Sequence, residues 1–327
     1  MPRQRSSVHL AVFGDERVVP LSTTQTIGVV FSCLNPGPGL RDAAESLLGR
    51  VDGFLFVDNG SEPALESVLG SLEGASAAIV RHTSNTGVAA ALNEGVEWAT
   101  SEGFTHMLAL DQDSRPANGM VSELIRVYRT HHSAESLAIV APAVRAAGDD
   151  IRARYLRRFG PAIFERVPCN REVRDDVTSV ITSGSLVNLS AHERIGPFRE
   201  DFFVDYVDTE YCLRAQAHGY RIAVACKAVL YHRLGKRQHN TLAGLAFYPT
   251  FHSPERWYYI ARNRIPMIRM YGWKFPHWFN YEVMASTYGF LRMLAFEDRR
   301  REKLMAVMKG TVDGLLGRLG PGPLGAP

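Results

Sequence analysis

Short, nearly continuous apolar runs alternate with helical stretches through the first 140 residues. Ile27-Gly-Val-Val-Phe-Ser-Cys-Leu34 has the pattern of a central parallel strand, apolar on both faces. It stops at Asn35-Pro-Gly-Pro-Gly39. Leu40 to Leu48 then reads as a helix with Ala and Leu on one face. Gly53–Val57 and Ala77–Arg81 predict two further strands. Their exits are Asp58-Asn-Gly-Ser61 and Ser84-Asn-Thr-Gly87, with a short helix over Pro63–Leu72 between them. An Ala-rich helix, Val88–Thr100, precedes a fourth strand in Thr105-His-Met-Leu-Ala-Leu110. Strand and helix alternate without hairpin signals. The pattern predicts an α/β fold with a mostly parallel sheet.

The second half is less regular. A helix through Leu124 and Tyr128 leads to a strand at Leu137–Pro142. Residues 145–176 are charged and predict a long surface excursion. Sheet character resumes over Val177–Leu189. A helix that stops at Gly219 follows Asp201–Glu210. Tyr220–Tyr231 is a strand, with His232 directly after it. From Pro254 the pattern is helical, basic and aromatic. Residues 1–26 predict a loose lead-in, and Gly317–Pro327 a disordered tail.

Composition changes this picture little. The chain has 327 residues, 46% hydrophobic and 22% charged, as an ordinary globular protein does. A net charge of +3 points to no nucleic-acid partner. No apolar h-region of a signal peptide is visible, and no apolar run reaches the length of a membrane span. Trp278–Phe296 comes nearest, but Asn280, Glu282 and Arg292 interrupt it, so it reads as amphipathic. The four cysteines form no CxxC pair. Cys33, Cys212 and Cys226 sit in apolar or helical patterns and are expected to be plain buried thiols in a reducing compartment.

The candidate chemistry collects at strand exits, where open α/β sheets bind ligands. Asn35, Asp58, Asn59, Asn85, Asp111 and Asp113 each follow an apolar run. Any one of them is an ordinary turn former; all of them on one edge suit a nucleotide. Asp111 and Asp113 are able to turn toward one hard cation, which in turn holds phosphates. No GxGxxG follows the first strand and no P-loop occurs, so dinucleotide and P-loop chemistry are disfavoured.

Asn35-Pro36, Val57-Asp-Asn-Gly-Ser61, Asn85-Thr-Gly-Val-Ala-Ala-Ala-Leu-Asn93, Leu110-Asp-Gln-Asp-Ser114, Thr182-Ser-Gly-Ser185, Phe203-Val-Asp-Tyr-Val-Asp-Thr-Glu-Tyr-Cys-Leu-Arg214 and His232-Arg-Leu-Gly235 together carry a resemblance. Over residues 27 to about 275 the chain resembles the family 2 glycosyltransferases of GT-A fold, and their bacterial rhamnosyltransferase-like branch most closely. The resemblance implies a Rossmann-like, mostly parallel sheet flanked by helices. A catalytic domain would span 27–240, with a nucleotide-sugar half (27–120) and an acceptor half (121–240). A basic, aromatic helical extension would span 241–316.

It also implies roles. Asp58 would face the base or ribose, with Asn35, Asn59 and Asn85 nearby. Asp111, Asp113 and His232 would hold Mg²⁺ or Mn²⁺ on the donor diphosphate. Asp208 would be the base that takes the acceptor hydroxyl's proton in an inverting transfer; as an Asp near a helix start, it also suits an N-cap. Asp205 would lie beside it. Ser183 and Gly184 would line the acceptor side. Glu210 would serve there or pair with Arg214 at i,i+4. Pro254–Asn263 would bind sugar or phosphate, or pack as core. The implied donor is dTDP-rhamnose, ahead of a UDP-linked hexose or galactofuranose. The implied acceptor is a polyprenyl-diphosphate-linked glycan at the inner face of the cell membrane, which the C-terminal helices would touch. A nucleotidyltransferase would want a basic loop after the first strand, and no Lys or Arg appears there before Arg41. A non-catalytic sugar-nucleotide-binding protein is the remaining alternative.

Overall fold

A computed structural model describes residues 25–61, 65, 72, 75–146, 153–232, 240–242, 245–247 and 251–323. Strands β1 (Ile27–Cys33), β2 (Gly53–Asp58), β3 (Ala77–Arg81) and β4 (His106–Asp111) pair in parallel in the order β3-β2-β1-β4. Alternation decides which face each residue joins. Val29, Phe31 and Cys33 pack against α1 (Gly39–Glu45) and α3 (Met120–Thr130) on one face, while Val30 packs on the other with α2 (Val88–Ser101). Phe31 and Phe56 are register partners in neighbouring strands and stack at 5.1 Å. Two apolar clusters result, one on each face of the sheet.

Beyond β4 the sheet becomes mixed. A short strand, β10 (Leu186–Asn188), runs antiparallel between β4 and β6 (Leu137–Ala146). β6 then pairs in parallel with the long β11 (Arg221–His232). The two-residue β5 (Arg115–Pro116) closes the order against the end of β11. The net effect brings the carboxyl ends of β4 and β11 close to one another, because β5 continues directly from β4.

The expected excursion at 145–176 is in fact ordered over much of its length. β7 (Arg154–Arg158) and β8 (Phe164–Pro168) form a hairpin, and β9 (Val173–Arg174) pairs with β11. The hairpin gives no alternating signal because its strands are charged on both faces; its register is held by pairs such as Arg157–Glu165 at 2.6 Å. A second correction concerns cysteine. Cys226 is not a free thiol but is disulfide-bonded to Cys169, while Cys33 and Cys212 are free and buried. Cys226 sits where β11 bulges away from β6, between Ala225 and Val229. The bulge is therefore fastened to the arm that carries β8 and β9.

Helices α4 (Leu189–Ile195) and α5 (Val207–Ala217) lie between β10 and β11, and Gly219 follows α5 with φ +85°. A small hairpin, β12 (Asn240–Leu242) and β13 (Leu245–Phe247), leads toward α6 (Pro254–Tyr271), α7 (Pro276–Phe296) and α8 (Arg300–Leu315). Met267, Tyr271 and Trp278 from these last helices join the same core cluster as α2 and α5. The tail expected to be disordered is laid down as far as residue 323. Arg262 donates to the Gly320 carbonyl, and Gly322 N donates to the Tyr259 hydroxyl. Residues 1–24 of the lead-in and most of the helix expected at 63–72 lie outside the described residues.

The disulfide closes a long loop, so Cys226→Ser is expected to destabilise the oxidised protein by about 2–4 kcal/mol. Urea denaturation with and without reductant checks this. A variant as stable as wild type in non-reducing buffer would contradict it.

Candidate active site

The end of β4 delivers a four-residue run in which each side chain has a separate task. Asp111 and Asp113 project toward His232, the last residue of β11, and their ligand atoms lie within 4.8 Å of one another. Between the two acids, the Gln112 amide turns away and grips the exit of β1. Its Oε1 accepts from Leu34 N at 2.6 Å, and its Nε2 donates to the Leu34 carbonyl at 2.8 Å. Ser114 is buried, with its hydroxyl 2.8 Å from His232 Nδ1 and 2.7 Å from the Ser183 hydroxyl. Ser183 in turn accepts from the Asp111 backbone N at 3.0 Å. The sequence pattern marked the two acids and missed the roles of Gln112 and Ser114; a polar residue alternating with acids was the available signal.

This arrangement suits a divalent cation. The donor set is two carboxylates and an imidazole, a combination that Mn²⁺ and Mg²⁺ accept. Burial first, and the neighbouring Asp113 next, raise the pKa of Asp111, although His232 and the Ser183 hydrogen bond oppose this. A cation would relieve that cost. A second group, His131, His132 and Asp175, has similar spacing. There, however, His131 already binds Asp175 at 3.3 Å and Ser133 N at 3.1 Å, and the Arg221 guanidinium lies 3.4 Å from Asp175. A cation would have to displace these contacts and face a fixed positive charge.

Beside Asp113 opens a cleft of about 1280 Å³, lined by Asn35, Gln112, Asp113, Arg115 and Tyr231 among others. Arg115, which the sequence pattern did not single out, brings a positive charge to this wall. Asp58 and Asn59 are both buried at the neighbouring exit. Asp58 accepts from Ser61 N at 2.8 Å, Ser61 Oγ accepts from Asn35 N at 2.8 Å, and Asn59 accepts from the Thr86 hydroxyl at 2.7 Å. Asn85 caps the next turn through Gly87 N at 2.8 Å. Of these residues Asn35 lines the cleft, and the hydrogen bonds from Asp58 through Ser61 fix its backbone.

Asp208 stands in the first turn of α5. The N-cap is Tyr206, so Asp208 is not the cap that its sequence position allowed. Its carboxylate accepts from Thr209 N at 2.7 Å and is otherwise free of strong partners. Burial pushes its pKa up to about 6, with the charges of Asp205 and Asp111 adding to the effect. Of the Asp111–Asp113–His232 group, Asp208 thus feels Asp111. Asp205 also has a raised pKa, through burial, against the opposing charge of Arg256 at 3.1 Å.

Three residues expected on the acceptor side are turned inward. Ser183 is buried under Asp111. Gly184 has φ +80°, and a Cβ there would lie 2.7 Å from Pro142 Cγ, so its role is close packing. Glu210 is 1% exposed; Arg214 at 3.0 Å and the Tyr271 hydroxyl at 2.7 Å occupy its oxygens. The Pro254–Asn263 segment is also mostly internal: Tyr258, Tyr259, Arg262 and Asn263 are all buried.

The profile described as glycosyl transferase family 2 matches residues 29–196. A curated protein, "dTDP-rhamnosyl transferase RfbF" of Shigella flexneri, is 26% identical over 275 residues, covering 82% of this chain and 88% of its own length. Among solved structures, GalNAc-T7 with UDP, GalNAc and Mn²⁺ superposes with a TM-score of 0.52 at 13% identity, over 73% of this chain; the match spans 47% of that protein's chain, about half its length. S. aureus TarS 1–349 superposes with a TM-score of 0.50 at 14% identity, covering 90% and 92% of the two chains. At these identities the two structures speak to fold alone, and the fold is of GT-A type.

The raised pKa of Asp208 has a consequence for stability. The folded pKa of about 6 lies above the ordinary value near 4, so the native state loses stability as pH rises between them. Asp208→Asn is therefore expected to melt a few degrees higher than wild type at pH 7.5, with the gain shrinking toward pH 4.5. Calorimetry at both pH values checks this; a variant melting lower at pH 7.5 would contradict it.

Proposed function

The chain belongs to glycosyl transferase family 2, and on that footing we propose that this glycosyltransferase moves L-rhamnose from dTDP-rhamnose to a glycan acceptor, with inversion. The observation that carries the mechanism is a partly buried carboxylate, Asp208, within electrostatic reach of Asp111, which itself stands in the Asp111–Asp113–His232 cluster. Asp111, Asp113 and His232 would hold Mg²⁺ or Mn²⁺. Such an ion supplies positive charge to the departing nucleoside diphosphate.

Asp208 removes the acceptor hydroxyl's proton as that oxygen attacks the anomeric carbon. One carboxylate suffices, because the diphosphate leaves without needing a proton from a general acid. Asp205 lies near enough to raise the proton affinity of Asp208. A base with a pKa near 6 is largely ionised at neutral pH yet more basic than an ordinary carboxylate. Asn35, Asp58, Asn59 and Asn85 frame the nucleotide edge, so residues 27–120 form the donor half and 121–240 the acceptor half. Arg115 is placed to add charge along the diphosphate. The donor assignment rests on the Asp-Gln-Asp-Ser run and on the printed activity of the Shigella relative.

We place the acceptor, a polyprenyl-diphosphate-linked glycan, at the inner face of the cell membrane. No helix among the described residues is long and apolar enough to cross a membrane. α7 and α8 nevertheless expose apolar stripes: Met284, Tyr288 and Leu291 on one, Met305, Met308 and Val312 on the other. Each set recurs at helical spacing, and exposed Arg301 and Lys309 accompany the second. Trp273, 97% exposed, projects from the turn before α7. These features suit an anionic lipid interface.

A panel of nucleotide sugars with Mn²⁺ tests the donor and the roles together. dTDP-rhamnose is expected to stabilise the protein by mass action and to be turned over. Asp113→Ala should lose the metal-dependent stabilisation. Asp208→Asn should bind donor but lose about 10²–10⁴-fold in kcat. Wild-type kcat should fall as pH drops through about 6. Turnover of UDP-sugars instead would overturn the rhamnose assignment. Full activity of Asp208→Asn would overturn the base assignment.

A further inference from the structure

The segment that leads into Asp208 has an unusual backbone. Phe203 (φ +65°), Asp205 (φ +56°) and Tyr206 (φ +64°) all occupy the left-handed region, and none is glycine. Side chains disfavour this region, and such clusters persist only where the surroundings over-determine them. Here the surroundings are the C-terminal helices. Asn263 of α6 is fully buried, and the two N–H groups of its Nδ2, one of them shared, reach three carbonyls of this one segment: Phe202 at 3.0 Å, Val204 at 2.7 Å and Asp205 at 3.0 Å. Its Oδ1 accepts from Arg262 Nε at 2.9 Å, and Arg262 Nη2 reaches the Phe202 carbonyl at 2.9 Å. From α7, Glu282 accepts from the Tyr206 hydroxyl at 2.5 Å and from Arg264 at 2.9 Å.

We infer that Asn263, seconded by Glu282, is a positioning residue of the transfer reaction: it winds the 202–206 backbone around one side-chain amide and so aims the Asp208 carboxylate. This rests on the reading of Asp208 as the base. Asn263 does not line the donor cleft, so it acts through the segment and not on substrate. Packing alone does not call for a buried asparagine in mid-helix, where an apolar residue would serve without needing partners. All of its donor capacity is spent on carbonyls that the strained turn points inward. The far side of the turn is tied as well, because Val88 N donates to the Phe203 carbonyl at 3.0 Å. Gly87 makes that approach possible: a Cβ there would lie 2.5 Å from the Phe203 oxygen. The 202–206 segment is thus held from one side by the helical extension and from the other by the turn at Gly87 and Val88.

The test is Asn263→Asp, which keeps the shape and replaces the donating amide by an acceptor facing three carbonyls. The expected result has three parts. Affinity for dTDP with Mn²⁺ stays within about twofold of wild type. Turnover of dTDP-rhamnose falls about 100-fold, the scale expected of a small misplacement of reacting groups. Amide exchange across residues 202–209 accelerates at least tenfold (an order-of-magnitude figure) while the β1–β4 amides stay protected. A folded Asn263→Asp protein with turnover within about threefold of wild type and unchanged exchange would overturn the inference. If that variant does not fold, Tyr206→Phe decides, since it removes only the hydroxyl bound to Glu282. Roughly tenfold lower turnover with faster exchange at 202–209 supports the inference; no change in either overturns it. Wild-type turnover by Asp208→Asn in the same assay would refute the base assignment, and the exchange result would still judge the clamp on the segment.

Discussion

Two hydrogen bonds between the Gln112 amide and the Leu34 backbone join the ends of β1 and β4 beyond the point where the ladder between them stops. In open α/β sheets ligands bind in the crevice outside the carboxyl ends of the strands where the strand order reverses, and here that reversal falls between β1 and β4. Left unbraced, the turn after β4 would carry two acids that repel each other. The side-chain amide takes the place of the next rung of the ladder and fixes the residue between them. Asp111 and Asp113 are then presented from a rigid base. Ser183 and Ser114 extend the brace to His232, so the hydrogen-bonded set spans the carboxyl ends of two strands.

The same edge concentrates negative charge. Asp205 and Asp208 sit within electrostatic reach of each other, and Asp208 also within reach of Asp111. Proteins tolerate such crowding where function needs it, and stability is supplied elsewhere. In this chain several sources are visible. The sheet is packed on both faces, the arm of β8 and β9 is fastened to β11 by Cys169–Cys226, and buried polar groups of α6 and α7 hold the loop before Asp208. The bulge in β11 that the disulfide fastens lies only a few residues before His232.

Much of this was legible in the sequence, for identifiable reasons. β1, β2 and β4 are buried on both faces and read as continuous apolar runs, so their positions and exits were plain. The acids at those exits could be assembled because ligands gather at that edge of such sheets, and His232 joined them through the family resemblance. What escaped was encoded in pairings and not in periods. The β7–β8 hairpin shows no alternation because Arg154, Arg157 and Glu165 occupy exposed or paired positions along it. Cys169 and Cys226 are 57 residues apart, with nothing local to link them. Ser183 and Gly184 look like an open polar turn, yet one supports Asp111 from below and the other fits against Pro142. The Pro254–Asn263 segment leaves sugar or phosphate binding and core packing both open, until the partners of Arg262 and Asn263, about sixty residues earlier in the chain, come into view.

The central claim is that Asp111, Asp113 and His232 form one cation site on which the donor diphosphate rests. A crystal structure with Mn²⁺ and dTDP, with anomalous data collected at the manganese edge, tests it most directly. The account expects one strong anomalous peak within about 2.0–2.6 Å of the Asp113 carboxylate and the His232 imidazole, with the diphosphate oxygens completing the coordination. A diphosphate bound in the cleft with no manganese between these residues, or manganese found only at His131, His132 and Asp175, would contradict it.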